Sequence, residues 1–349
     1  MTIEIAGRPI GADHPPFLVA EMSGNHNQSL DRALAIVEAA AQAGAHAIKI
    51  QTYTADTITL DVRGGSFEIT DPDSLWAGQN LHDLYKQAYT PWEWQGLIME
   101  RARDLGLICF SSPFDESAID FLESIGNPAY KIASFENNHL PLIKKAASTG
   151  KPLLISTGMA TVAEIDNAVR TARGAGCKDL VLLKCTSTYP ADTRNSNIRT
   201  IPHLKKLFNC EVGISDHTLG IGAAVASVAL GGGVVEKHFT LSRKDGGVDS
   251  AFSMEPKEFQ KLVEETLEAW KSLGLILYGN TKAEKINLKL RRSIYVVKDI
   301  MEGEAFTHEN IRIIRPGDGG PPKLYEDLIG KISKSYLAKG TPLTLDKLI

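Results

Sequence analysis

The sequence predicts an α/β fold: a barrel of eight parallel strand–helix units followed by a small β-rich module. Three observations carry this expectation. Eight short apolar stretches recur between Phe17 and Thr240, and most end in a polar cluster. Segments with helical periodicity alternate with them. From about Lys271 the alternation gives way to short β-prone runs between Gly and Pro turns. Strand–helix alternation implies parallel strands with right-handed crossovers, and eight units close a TIM (β/α)8 barrel. A doubly wound open sheet is the competing architecture, but SGNHNQS after Glu21 is not the glycine-rich loop such a sheet places after its first strand.

The strand stretches read FLVAEMSGNHN, AHAIKIQT, LICFSSP, AYKIAS, PLLISTGM, LVLLKCTSTYP, VGISDHT and VVEKHFT. Asp31 to Ala43 is an alanine-rich helix stopped by Gly44. Pro91 to Leu105 is a second helix, with Thr90 as its expected N-cap and Gly106 at its end. Further helices are expected over Glu116–Ile125, Leu140–Ser148, Val162–Arg173, Ile198–Leu207, Leu219–Leu230 and Pro256–Leu273. The barrel is assigned to residues 1–275, a linker to 276–290 and the β module to 291–349, with the charged stretch Lys282–Arg292 read as linker or exposed helix. The module holds a weak internal repeat, in which Gly303–Ile311 lines up with Gly340–Leu348.

Composition narrows the function classes. A chain of 349 residues with 43% hydrophobic content can bury one large core and carry an appended module. A net charge of -4 gives no reason to expect nucleic acid or an acidic membrane surface as partner. Cys109, Cys177, Cys185 and Cys210 show no C-x-x-C spacing and read as reduced thiols of a cytoplasmic protein. The start, MTIEIAGRPI, lacks the pattern of a signal peptide. The uncharged run Leu219–Val235 is broken by Gly231, Gly232 and Gly233, so it reads as a small-residue helix, a turn and a core strand rather than a membrane span.

Strand parity sharpens the candidate site. Side chains i and i+2 share a face, which pairs Lys49 with Gln51, Ser215 with His217, and Glu236 with His238. Histidines ending the seventh and eighth strands can share a divalent ion and leave positions open for water and substrate oxygens. The alternative is a pair of hydrogen-bonded core histidines. Lys49 and Lys131 lie inside apolar strands, where an unpaired ammonium is costly. An anionic ligand would resolve both; buried salt bridges to Glu21 and Glu236 are the alternative, and a Schiff-base aldolase is a third reading that the histidine pair argues against. Ser134, Ser156 and Ser215 add hydroxyl donors for a phosphate.

In this order and on these strands, AEMSGNHN, IKIQT, YKIAS, ISTGM, CTSTYP, GISDHT, EKHFT and DSAFSMEP resemble the motifs of the sialic acid synthase family, the phosphoenolpyruvate-condensing enzymes that make nonulosonic acids. The resemblance spans essentially the whole chain, and RRSI and RPG match the family's C-terminal antifreeze-like (SAF, β-clip) module. AEMSGNHN and GGVDSAFSMEP look most like the pseudaminic acid branch, with N-acetylneuraminate and legionaminate enzymes as alternatives.

The resemblance implies that His217 and His238 bind Mn2+ or Mg2+, and that Lys131, Ser134, Ser156, Ser187 and Ser215 hold the phosphate of phosphoenolpyruvate. It implies Lys49 and Ser112 at the carboxylate, Glu21 and Glu236 as catalytic carboxylates, and Gln51, Glu136, Tyr189 and Asp249 facing an amino sugar. Arg315 would reach that sugar from the partner subunit of a domain-swapped homodimer. Two positions depart from the family pattern: Ser187 stands where Asn is frequent and Ser112 where Thr is common. A 6-deoxy diacetamido sugar calls for an apolar pocket, which Met22, Phe135 and Phe252 are expected to supply, the alternative being that they pack behind the rim. A metal-dependent hydrolase or aldolase, and a non-enzymatic glycan-binding scaffold, remain as readings of other classes.

Overall fold

The computed structural model describes residues 2–344. Residues up to Gly274 form one compact unit and those from Leu275 onward a second.

The first unit opens with an antiparallel hairpin, β1 (Ile3–Ile5) and β2 (Arg8–Ile10), an element not foreseen from MTIEIAGRPI. Its isoleucines pack with Phe17, Ala47, Val181 and Val234, residues at or near the starts of barrel strands, so the hairpin seals that end of the barrel. The strands are β3 (Phe17–Glu21), β4 (Ala47–Thr52), β5 (Ile108–Pro113), β6 (Tyr130–Ile132), β7 (Leu153–Ser156), β8 (Leu180–Cys185), β9 (Glu211–Ser215) and β10 (Val234–His238). All pair in parallel, and β10 pairs with β3 to close the barrel. They are the eight stretches of the sequence.

The helices are α1 (Leu30–Gln42), α2 (Ala55–Ile58), α3 (Leu81–Ala88), α4 (Trp92–Asp104), α5 (Glu116–Ser124), α6 (Leu140–Ser148), α7 (Val162–Gly174), α8 (Thr200–Phe208), α9 (Gly222–Ala229) and α10 (Pro256–Leu273). Local chemistry sets their ends. The Ser29 side chain caps α1, and Asp115 caps α5. Thr161 and Glu164 form a capping box on α7. Thr90 is not the cap of α4: Pro91 occupies that position, and the Thr90 hydroxyl instead bonds His26 Nε2, in the turn after β3, at 3.2 Å. Residues 53–90, with α2 and α3, form an excursion between β4 and α4 that strand–helix alternation does not announce. Among the described residues, no helix is long and apolar enough to cross a membrane.

In the second unit, β11 (Ser293–Val296) and β12 (Ile311–Ile314) pair antiparallel, and α11 (Tyr325–Leu328) follows. Its core gathers Ile294, Val296, Ile300, Phe306, Ile311, Leu328, Leu337 and Leu343. Phe306 and Leu343, equivalent positions of the weak repeat, are both buried there; the end of the second copy, residues 345–348, lies outside the described residues. Residues 276–290 are exposed throughout.

Candidate active site

The C-terminal ends of the barrel strands converge on a cavity of 460 Å³. Register explains the convergence. Glu21 stands opposite Lys49 on β4 and His238 on β10, while Glu236 stands opposite Ser215 on β9. Glu21, Lys49, Gln51, Lys131, Ser134, Ser156, Ser215, His217, Glu236 and His238 all line the cavity, as period-2 strands require.

At its floor lie two ammonium and two carboxylate groups. Lys49 Nζ is 2.7 Å from Glu21 Oε2 and 3.9 Å from Glu236 Oε2, and Lys131 Nζ is 3.2 Å from Glu236 Oε1. The alternative reading of the two lysines, buried salt bridges to Glu21 and Glu236, is present: each has a carboxylate partner. A buried ammonium is tolerable only with such a partner, and the closed barrel supplies it across strands. Ser215 Oγ donates to Glu236 Oε1 at 2.9 Å, Gln51 Nε2 to Glu21 Oε1 at 2.8 Å, and Lys49 Nζ to Ser112 Oγ at 3.1 Å. Ser112 thus sits behind Lys49. Burial alone would raise Glu236, but Lys131 and Lys49 outweigh it and pull the carboxyl down to about 2. Burial dominates at Glu21 and holds it above the usual carboxylate range despite Lys49.

The rings of His217 and His238 lie 5.3 Å apart between centroids. His217 Nδ1 is 3.0 Å from the Thr186 carbonyl, to which it donates; although burial opposes it, Cys185 and that carbonyl raise this imidazole above its ordinary value, and Nε2 is the nitrogen that would face a cation once the ring is neutral. His238 Nδ1 is buried without a hydrogen-bond partner, and burial, together with His217 and the lysines, keeps this imidazole neutral. A neutral, unsatisfied ring nitrogen next to a second imidazole fits a divalent cation. No cluster of three or more His, Cys, Asp or Glu suited to a metal occurs among the described residues, so further positions would fall to water and substrate oxygens.

Ser134 lines the cavity, whereas Ser187 and Gly158 pack beside it without lining it. Gly158 N donates to Ser134 Oγ at 3.2 Å. A Cβ at Gly158 would stand 2.1 Å from Ser187 Oγ and 2.6 Å from Ser134 Oγ, so only glycine lets the two hydroxyls approach this backbone. Ser156 Oγ is buried and unpartnered nearby.

Toward the mouth, Asp249 accepts a hydrogen bond from Ser23, and burial raises its carboxyl. Burial likewise pushes Glu136 up to about 7, and its Oε2 has no partner. The Tyr189 ring lies 4.5 Å from that of His217. Arg315 belongs to the second unit, where it is exposed.

The apolar wall comes from an unexpected source. Met22 is fully buried in the core, and Phe252 stands behind the rim with its ring 4.8 Å from His238 and 5.1 Å from Tyr189. Of the three expected residues only Phe135 lines the cavity. The wall is instead built by Ile58, Ile69, Trp76, Leu81, Leu84 and Tyr85 of the excursion, and Trp76 is fixed by an Nε1 bond to the Val248 carbonyl at 2.9 Å. Cys185 was also missed as a site residue: its Sγ is 3.8 Å from His217 Nδ1, and although burial opposes it, His217 draws the thiol down to about 7. Its place at the end of β8, inside CTSTYP, was the available signal.

The NeuB family model matches residues 36–277, and the SAF domain model residues 291–349. The chain is 42% identical over 334 residues to the pseudaminic acid synthase of Campylobacter jejuni, covering 95% of this chain and 96% of that protein. It is 35% identical over 346 residues to the N,N'-diacetyllegionaminic acid synthase of Legionella pneumophila, covering 96% and 95%. The crystal structure of the N-acetylneuraminic acid synthetase of Leptospira borgpetersenii, in complex with citrate, superposes with a TM-score of 0.73 at 31% identity, covering 82% of this chain and 95% of that one.

Proposed function

The chain belongs to the NeuB family, and from that membership and the chemistry of its rim we propose that it condenses phosphoenolpyruvate with 2,4-diacetamido-2,4,6-trideoxy-altrose, the reaction of a pseudaminic acid synthase. The observation that carries the reading is the pairing of two neutral-capable imidazoles with two lysine–glutamate pairs at one cavity floor.

Lys131, Ser134, Ser156, Ser187 and Ser215 hold the phosphate, and Lys49 with Ser112 behind it holds the carboxylate. Gln51, Glu136, Tyr189 and Asp249 position the open-chain sugar. His217 and His238 would hold Mn2+ or Mg2+, which when bound supplies Lewis-acid polarisation of the sugar's C1 aldehyde. C3 of phosphoenolpyruvate attacks C1, and positive charge develops at C2. Glu236, held as a carboxylate by two lysines, faces that charge, while Glu21 and Glu236 manage the protons of the water that adds to C2. The tetrahedral product then loses phosphate by C–O cleavage.

The assay is phosphate release with a panel of amino sugars. The trideoxy diacetamido sugar should give the highest kcat/KM, because the wall of Ile58, Ile69 and Trp76 suits a C6 methyl and leaves a C6 hydroxyl unpaired. One methyl contact is worth roughly 1–3 kcal/mol, so N-acetylmannosamine should be disfavoured by at least ~10-fold. A preference for N-acetylmannosamine or the legionaminate precursor would reassign the substrate; no phosphate release with any sugar would sink the synthase reading and leave a glycan-binding scaffold.

We further propose a cytoplasmic, domain-swapped homodimer in which Arg315 of the partner subunit meets the sugar. The four free cysteines support the compartment, and the exposed run Leu275, Ile276 and Leu277 supports cover by a second copy. Arg315→Ala mixed with His217→Ala chains should regain activity, since one site of each heterodimer would be whole. No gain after confirmed subunit exchange would refute the swap.

A further inference from the structure

Alternation that turns Glu236 and His238 inward turns Lys237 outward, and likewise turns Asp216 outward between Ser215 and His217. The two outward side chains meet. Lys237 Nζ lies 2.8 Å from Asp216 Oδ2, and both side chains are only 1% exposed. The same ammonium donates to the Thr218 carbonyl at 2.7 Å, while Asp216 Oδ1 accepts from Thr218 N at 2.9 Å. One lysine next to His238 therefore grips the residues on both sides of His217. The backbone adds Asp216 N to the Glu236 carbonyl at 2.9 Å, extending the β9–β10 ladder past the end of β9.

Such a pair is an expensive way to fill space. Apolar side chains of similar volume often serve stability as well as a buried ion pair or better, so the return on this one lies in geometry. Two short hydrogen bonds from one ammonium fix Asp216 and Thr218 on either side of His217, which limits where the backbone of His217 can lie.

We infer that Lys237 and Asp216 are positioning residues that hold His217 and His238 at the mutual geometry a divalent cation requires. This rests on the metal reading of the two histidines. Neither residue touches substrate or ion; both act through the chain segments that carry the ligands.

The test is Mn2+ binding to the metal-stripped full-length protein, followed by the EPR signal of free Mn2+, with thermal unfolding of each variant. Wild type should bind one Mn2+ per chain, and His238→Ala should lose that binding. Lys237→Met should weaken Mn2+ by ~10–100-fold, the cost typical of groups that orient metal ligands, with kcat falling and KM for phosphoenolpyruvate holding. Because Lys237→Met leaves a buried carboxylate uncompensated and can fail to fold, the double variant Asp216→Asn/Lys237→Met decides. It should recover thermal stability without recovering Mn2+ affinity. A double variant that binds Mn2+ as tightly as wild type would reduce the pair to charge balance and overturn the inference. If wild type and His238→Ala bind Mn2+ alike, the metal reading fails and takes the inference with it.

Discussion

Alanine at His217 or His238 is expected to end turnover while the barrel stays folded. Both rings sit at strand ends, above the apolar layers that hold the barrel together, and neither is part of the apolar core. Their loss leaves the β9–β10 ladder and the Lys237–Asp216 pair in place. What disappears is one of two imidazole donors, and with it most metal affinity and the polarisation of the aldehyde. Loss of one preorganised electrostatic group typically costs ~10²–10³-fold in kcat, and loss of the ion itself more, so phosphate release should fall by at least that factor. Thermal unfolding should show a modest shift, because Tyr189 and Phe252 lose ring contacts. A variant that keeps near-normal activity with EDTA present would exclude the metal assignment.

Much of this site is legible in the sequence because strand parity is a local property. Once Glu236 faces inward, His238 must follow and Lys237 must not, whatever the rest of the chain does. Two helix ends were legible for a similar reason, since Gly44 and Gly106 close their helices, whereas Thr90, expected to open the second, does not cap it. Partnership is not local. Lys49 meets Glu21 across the neighbouring strands β3 and β4, but Lys131 and Glu236 are 105 residues apart, and only closure of the barrel brings them together. The apolar wall was missed because residues 53–90 have no long periodic segment. Asn80 capping LHDLYKQA was the available clue, and only the folded excursion turns Trp76, Leu81 and Tyr85 toward the cavity. Met22 and Phe252 looked like pocket residues because their neighbours are site residues, yet Met22, in helical backbone just past the end of β3, turns into the core, and Phe252 packs against His238 and Tyr189.

Glu236→Gln is the most discriminating substitution at the cavity floor, because it is expected to harm turnover without harming phosphoenolpyruvate binding. Glutamine keeps the shape and an acceptor for Ser215 and Lys131, which now lie 2.9 and 3.2 Å from Oε1, so the fold should persist. The charge balance changes. Two lysines then face Glu21 alone, and the floor becomes more positive by one unit toward an incoming anion. KM for phosphoenolpyruvate should therefore stay level or fall. The carboxylate that faces the developing charge at C2 is gone, however, and loss of such a group or of a general base typically costs ~10²–10⁴-fold in kcat. Steady-state phosphate release at varied phosphoenolpyruvate separates the two effects. A kcat near that of wild type would remove Glu236 from the chemistry. A normal kcat with a raised KM would instead make it a determinant of anion binding acting through Lys131.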